Sequence, residues 1–284
     1  MRLGVLTGLF AMAVALVDAQ APQVFRGSVD LVPVFATATT ADGAFARDLT
    51  KDDFTVLDND KPQNIVSFSS DAQTLSVSVI LDTSGSMQNA LPRVFGAARA
   101  FIDRLTPEDR VMIGSLYFVG PPISSEKARL RTSLDMMPRD PGSPVFGAID
   151  RSLTTLLLEP NRRVIVIYTD GKNMNAGPFG KTTAGQVLDR VEGASVMVYA
   201  IGFEGVSISG DMKKIAARSG GRATELRTND DLGRALAGVA DELHHQYLLG
   251  FTPAAFDGKT HKLEVRVKRE GITVRARQSY VAVK

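Results

Sequence analysis

Four apolar, β-branched runs of strand length constrain this chain most: Leu75 to Leu81, Arg110 to Phe118, Arg163 to Thr169 and Val196 to Phe203. Helical stretches separate and follow them, at Leu91 to Leu105, Val145 to Leu158, Thr183 to Glu192, Asp211 to Arg218 and Asp230 to His245. Strands that are apolar almost throughout, rather than on alternate residues, must be buried on both faces. Alternating with helices, they predict an α/β fold: a doubly wound, mostly parallel sheet flanked by helices, over residues 73–246. Ligands of such sheets collect at the carboxyl ends of the strands.

Outside this block the pattern is different. Residues 24–72 alternate in short bursts, with turn signals at Ala41-Asp42-Gly43 and Asp58-Asn59-Asp60, and Thr50 is placed to cap a single helical turn before Phe54. Residues 247–284 return to strands: Tyr247 to Phe251, His261 to Lys268 and Ile272 to Arg277, with Glu270-Gly271 spaced to join the last two as a hairpin. Neither segment can build a core alone. They are expected to pair with each other into a small β-sandwich formed by the N- and C-terminal segments and interrupted by the α/β domain.

Met1-Arg2 followed by the uncharged apolar run Leu3 to Val17 has the layout of a secretory signal peptide, with cleavage expected after Ala19. No second apolar run follows, so no membrane span is expected after cleavage. The sequence contains no cysteine, which removes disulfides, thiolate metal sites and cysteine nucleophiles. An exported chain of this composition looks bacterial and must be held together by burial. Its 33 basic and 31 acidic residues are well mixed and leave a formal charge of +2, which argues against a nucleic-acid surface.

Candidate chemistry lies at strand ends. Asp82-Thr83-Ser84-Gly85-Ser86 closes the first apolar run, Asp170-Gly171 closes the third, and Ser143 lies in a Pro/Gly-rich loop just before a helix. Carboxylates and hydroxyls without nitrogen or sulfur suit a hard divalent cation. Asp-x-Ser-x-Ser, a loop hydroxyl before a helix and an Asp-Gly after a hydrophobic strand, in that order, resemble the metal-ion-dependent adhesion site of von Willebrand factor type A domains. The resemblance implies that Asp82, Ser84, Ser86, Ser143 and Asp170 hold Mg2+, with Mn2+ or Ca2+ as alternatives. In that family the hydroxyls touch the metal, the aspartates act largely through water, and an Asp or Glu of a protein partner completes the coordination. It implies a binding module rather than an enzyme.

Further motifs extend the likeness over nearly the whole mature chain: Asp48-Leu-Thr-x-x-Asp-Phe54, Pro62-Gln-x-Ile65, Ser219-Gly-Gly-Arg222, Gln246-Tyr-x-Leu-Gly-Phe251 and Val274-Arg-Ala-Arg-x-x-Tyr280. Together they are similar to a secreted, acidobacterial-type group of von Willebrand factor A-related proteins. The chain departs from the pattern twice, with Ser143 where threonine is usual and Gly147 where relatives commonly carry an acidic residue.

Other signals are weaker. Gly180-Lys181-Thr182 lacks the first glycine of a phosphate loop and reads as the start of a helix capped by Thr182 or Thr183, so no nucleotide is expected. His244 and His245 end a helix, where the dipole favours them, and His261 has no obvious acid partner in the sequence. Lys172 and the loop Asn173 to Gly180 lie on the metal edge as candidate specificity elements. The alternatives to a metal-dependent adhesion module are a metal-independent structural component of the cell envelope and a cryptic serine hydrolase. The second has no G-x-S-x-G elbow to support it.

Overall fold

In the computed structural model, which describes residues 31–120, 122–170, 173, 179–228 and 231–283, the expected strands and helices of the central block appear in order, together with a helix at Lys127–Asp135 and a short strand at Ala223–Glu225 that were not expected. The N-terminal segment gives β1 (Val32–Thr40), β2 (Phe54–Asp58), β3 (Lys61–Gln63) and β4 (Ile65–Ser69). The central block gives β5 (Leu75–Leu81), α1 (Leu91–Arg104), β6 (Arg110–Ser115), α2 (Lys127–Asp135), α3 (Val145–Leu156), β7 (Arg162–Thr169), α4 (Ala184–Ala194), β8 (Met197–Gly202), α5 (Gly210–Arg218), β9 (Ala223–Glu225) and α6 (Leu232–Leu243). The chain closes with β10 (Tyr247–Phe251), β11 (Thr260–Val267), β12 (Ile272–Arg275) and β13 (Ser279–Val281). The proposed signal peptide, Gly171, Lys172 and most of the loop up to Gly180 lie outside the described residues. No helix among the described residues is long and apolar enough to cross a membrane.

The central sheet is wholly parallel, in the order β6-β5-β7-β8-β9. Alternation divides its side chains between two cores. Val77 and Val79 of β5 and Val164 and Val166 of β7 join α1 and α6 on one face. Ile80, Ile165 and Ile167 join α3, α4 and α5 on the other. Each such side chain, fully buried, contributes about 1.5–3 kcal/mol. Ser76 and Ser78 interrupt the apolar run of β5 without penalty, because Ser76 bonds to Glu159 (3.3 Å) and Ser78 to Ser152 (2.9 Å).

The terminal segments form two antiparallel four-stranded sheets, β12-β1-β10-β4 and β13-β11-β2-β3, each drawing strands from both ends of the chain. Their shared core includes Val34, Phe54, Val56, Leu249 and Phe251. The expected helical turn is one turn of 3-10 helix, Lys51–Asp53, held by the Asp53 carboxylate accepting from the Thr50 N–H at 2.7 Å and hydroxyl at 3.0 Å.

Three expectations need correction. Ile272 to Arg277 does not form a hairpin with His261 to Lys268: β11 pairs with β13 and β2, whereas β12 pairs with β1 in the opposite sheet. Both edges of β11 are occupied, so the chain turns at Gly271, with φ of +75°, and crosses between layers. The strand expected to reach Phe118 stops at Ser115, because the Leu116 and Tyr117 N–H groups leave the ladder for the Asp140 carboxylate, both at 3.0 Å. His261 does have acid partners. Its Nδ1 lies 2.8 Å from Asp58 Oδ1 and its Nε2 3.2 Å from Asp257 Oδ1.

The junction between sandwich and sheet is polar. Glu242, at 2% exposure, accepts from Thr37 at 3.1 Å and from Tyr199 and Arg275 at closer range. His244 Nε2 is 2.9 Å from Asp109 Oδ2, a partner at the start of β6 that complements the expected helix-dipole effect.

Candidate metal centre at the sheet switch point

From β5 the chain runs to β6 on one side, while β7 lies on the other, so the strand order reverses beside β5. A crevice therefore opens between the carboxyl ends of β5 and β7. The register sets Leu81 beside Tyr168, and the Asp82 N–H bonds to the Tyr168 carbonyl at 2.9 Å. Asp82 and Asp170, each just beyond its strand, are thereby brought to one edge.

Both carboxylates are buried, with Asp82 at 0% and Asp170 at 5% exposure. Asp82 Oδ1 accepts the Ser84 N–H at 3.0 Å and Oδ2 accepts the Thr169 hydroxyl at 2.8 Å. Beyond them a chain of oxygens runs across the crevice: Ser84 Oγ lies 3.2 Å from Ser86 Oγ, which donates to Asp170 Oδ2 at 2.9 Å. Burial pushes the Asp82 carboxyl above the usual range; the Ser84 and Thr169 bonds pull it back, and the charge of Asp170 raises it further. Ser86 is exposed while Ser84 is buried, so the oxygen chain reaches solvent at Ser86, between two buried carboxylates.

Four of the five expected ligands are thus joined by hydrogen bonds. Ser143 is buried in the loop immediately before α3, and no hydrogen bond among the described residues joins its hydroxyl to the other four. That loop is tied to the site through Asp140, three residues upstream, which the sequence reading did not single out. Asp140 Oδ2 accepts the Thr83 N–H at 3.2 Å, Oδ1 accepts the Ser115 hydroxyl at 2.6 Å, and the Thr83 hydroxyl donates to the Pro138 carbonyl at 2.9 Å. Asp140 therefore fastens three loops together: after β5, after β6 and before α3. Its partners are 23 to 57 residues away in sequence, and no local motif marks it.

Gly147 has a steric explanation. A Cβ built there would lie 2.2 Å from the Phe179 carbonyl oxygen, so an acidic side chain does not fit. Asn173 is the other residue not foreseen in its role: its Oδ1 accepts the Phe146 N–H at 3.3 Å at the start of α3. Thr183 caps α4 through the Gln186 N–H at 3.3 Å, which is the helix start expected there. The side-chain bonds of His244, His245 and His261 go to Asp109, to the Asp241 carbonyl, and to Asp58, Asp257 and Tyr280, and none among the described residues reaches Ser84 or Ser86.

The donor set suits a hard dication. It offers two carboxylates and neutral hydroxyls, all oxygen, and a positive ion there would offset both the burial of Asp82 and its repulsion by Asp170.

The fold and site define a doubly wound α/β domain with an oxygen-rich crevice at its switch point, carried on a β-sandwich. Residues 76–237 match the model of the von Willebrand factor type A domain, more than half of the chain, and the protein belongs to that family. No curated protein matches the chain at a significant level. Among solved structures, a von Willebrand factor type A protein from Catenulispora acidiphila is similar at a TM-score of 0.53 and 12% identity, over 81% of this chain and 73% of that one. Proximal thread matrix protein 1 from the mussel byssus is similar at a TM-score of 0.50 and 17% identity, over 64% of this chain and 49% of that one. This chain thus spans about half the length of the mussel protein. At such identities the likeness is one of fold.

Proposed function

We propose that this is an exported, non-enzymatic protein-interaction module of the secreted bacterial von Willebrand factor A-related group. Asp82, Ser84, Ser86, Ser143 and Asp170 would hold Mg2+ or a similar hard cation and present it to an Asp or Glu of a partner protein. The observation that carries the reading is the run of oxygens from Asp82 through Ser84 and Ser86 to Asp170 at the switch point. When bound, the cation supplies an electrophilic coordination position for a carboxylate. The protein's own groups hold the site open and oriented: Thr169 fixes Asp82, Asp140 fixes the backbone at Thr83, and Gly147 admits the Phe179 loop. The hydroxyls of Ser84 and Ser86 engage each other and Asp170, an arrangement for ligation rather than nucleophilic attack.

Calorimetric titration of the purified chain with Mg2+ and Mn2+ tests this. Saturable binding of one ion per chain, lost in Asp82→Ala, is expected. Equal, absent heats in both proteins would reject metal dependence and leave the metal-independent envelope component as the better reading. Where the ion binds, a partner captured from the native envelope should be released by chelator.

A further inference from the structure

At the opposite, amino end of the central sheet, the start of β7 and the ends of α4 and α5 meet β1 and the segment leading into β13 around a small cavity. Its volume of about 20 Å³ is room for roughly one water. It adjoins a groove of about 440 Å³ that shares Phe35, Arg162, Arg163 and Ser195 with it. Four guanidinium groups, Arg162, Arg163, Arg218 and Arg277, line the cavity against a single carboxylate, Glu192.

That carboxylate is already engaged. Glu192 pairs with Arg218 at 2.7 Å and accepts from the Ser279 hydroxyl at 2.7 Å. The other arginines meet neutral acceptors. Arg162 donates to the Leu243 carbonyl at 3.0 Å and to the Gln246 side chain. Arg163 donates to the carbonyls of Glu159 at 3.1 Å and Ala194 at 3.3 Å. Arg277 donates to the Ser195 hydroxyl at 2.7 Å.

Arg162 and Arg277 are only 9% and 8% exposed, yet the Nε–H of each is buried without a partner among the described residues. Stacking of Arg162 over Phe35 at 4.0 Å and of Arg277 over Tyr280 at 5.5 Å engages the faces of the guanidinium groups and leaves these in-plane donors unused. Burial pulls both side chains down to about 10, so both remain charged at neutral pH. Glu242, the carboxylate whose charge reaches Arg162, is already paired with Arg275, and buried cations short of anions are strongly unfavourable unless something neutralises them.

We infer that this junction binds a small tetrahedral oxyanion, phosphate or sulfate, at the mouth of the groove, where Arg162 and Arg163 line both spaces, with one oxygen entering the water-sized cavity beside Arg162 and Arg277. Guanidinium groups arriving from two separate segments suit an anion with acceptor oxygens on several sides, and the unused Nε–H of Arg162 and of Arg277 each offers it one charge-assisted bond. The ligand would also tie Arg277, beside the sandwich, to Arg162 and Arg163 of the α/β sheet.

The test is calorimetric titration of the full chain with sodium phosphate at pH 7, in EDTA so that the carboxyl-edge site holds no metal, with chloride keeping ionic strength constant. One saturable site per chain is expected, with affinity reduced about tenfold or more in Arg277→Gln. Absence of a saturable heat in the unaltered chain would overturn the inference, as would affinity within twofold of it in a folded Arg277→Gln. If circular dichroism shows that Arg277→Gln does not fold, the half-buried Arg163→Gln decides: a fall of about fivefold or more supports the site, and unchanged affinity overturns it.

Discussion

Replacing Asp140 by asparagine changes almost no volume, yet it should unsettle both the fold and the metal edge. The Asp140 carboxylate accepts four bonds: Ser115 Oγ and Tyr117 N–H on Oδ1, Thr83 N–H and Leu116 N–H on Oδ2. In its better orientation, asparagine keeps its oxygen toward Thr83 and Leu116 and turns its amide toward Ser115, whose hydroxyl can reverse and accept. Tyr117 N–H then faces a donor. One buried N–H loses its partner, and two others exchange a charged acceptor for a neutral one, which together cost about 2–4 kcal/mol. At about 2–4 °C per kcal/mol for a chain of this size, Tm should fall by roughly 5–15 °C. Thr83 lies between Asp82 and Ser84, so weakening its bond from a charged to a neutral acceptor loosens both, and affinity for Mn2+ should drop about 10–100-fold although Asp140 is not an expected ligand. Thermal unfolding followed by circular dichroism gives the first quantity, and Mn2+ calorimetry well below Tm gives the second. A Tm within about 1 °C of the unaltered chain together with unchanged Mn2+ affinity would refute the role assigned to Asp140.

Three further outcomes are expected. Gly147→Ala should destabilise by about 1–3 kcal/mol because its Cβ meets the Phe179 carbonyl at 2.2 Å, whereas Gly96→Ala, exposed in α1 with nothing within 4 Å, should stabilise by about 0.5–1 kcal/mol; denaturant melts showing the same sign for both would contradict the steric account. Burial raises the Asp109 carboxyl, but bonds from His244, Leu75 and Thr106 and the charge of His244 outweigh it, so its folded value lies below the ordinary 3.8 of an aspartate; the stability it adds is present above that unfolded value and is lost as pH falls through the folded one, so the gap between Asp109→Asn and the unaltered chain should narrow below about pH 4. Glu242→Ala strips the acceptor from Thr37, Tyr199 and Arg275 at the junction and should cost about 3–5 kcal/mol in urea unfolding, while a loss under about 1 kcal/mol would show that the junction does not depend on that carboxylate.

Local pattern carried much of the architecture. Apolar runs such as Val164 to Ile167 could be buried only between two layers of helices, and Asp82 and Asp170 were marked as strand-end residues by the runs they close. The Asp-x-Ser-x-Ser spacing announced Ser84 and Ser86 because two hydroxyls two residues apart in one loop can meet the same point. Thr183 was legible as a cap for the same local reason. The sandwich, too, could be inferred from two strand-rich ends that each lacked a core.

Partner choice was not legible. β11 and β12 read as a hairpin from their short link, but which strand occupies an edge depends on every other strand of the sandwich, and β2 and β13 already flanked β11. Of the acid partners of His261, Asp257 is four residues upstream and was within reach of a local reading, whereas Asp58 lies 203 residues away and was not. The work of Asp140, the need for glycine at 147 and the gathering of Arg162, Arg163 and Arg277 share that origin. The sequence by itself determined which segments are strands and helices, that an oxygen-rich site lies where two strands end, and that both termini must cooperate. Only the tertiary structure decided which strands neighbour, which carboxylate fastens the site and where guanidinium groups are left short of anions, because burial and hydrogen bonding between distant residues depend on packing that no short window of sequence contains.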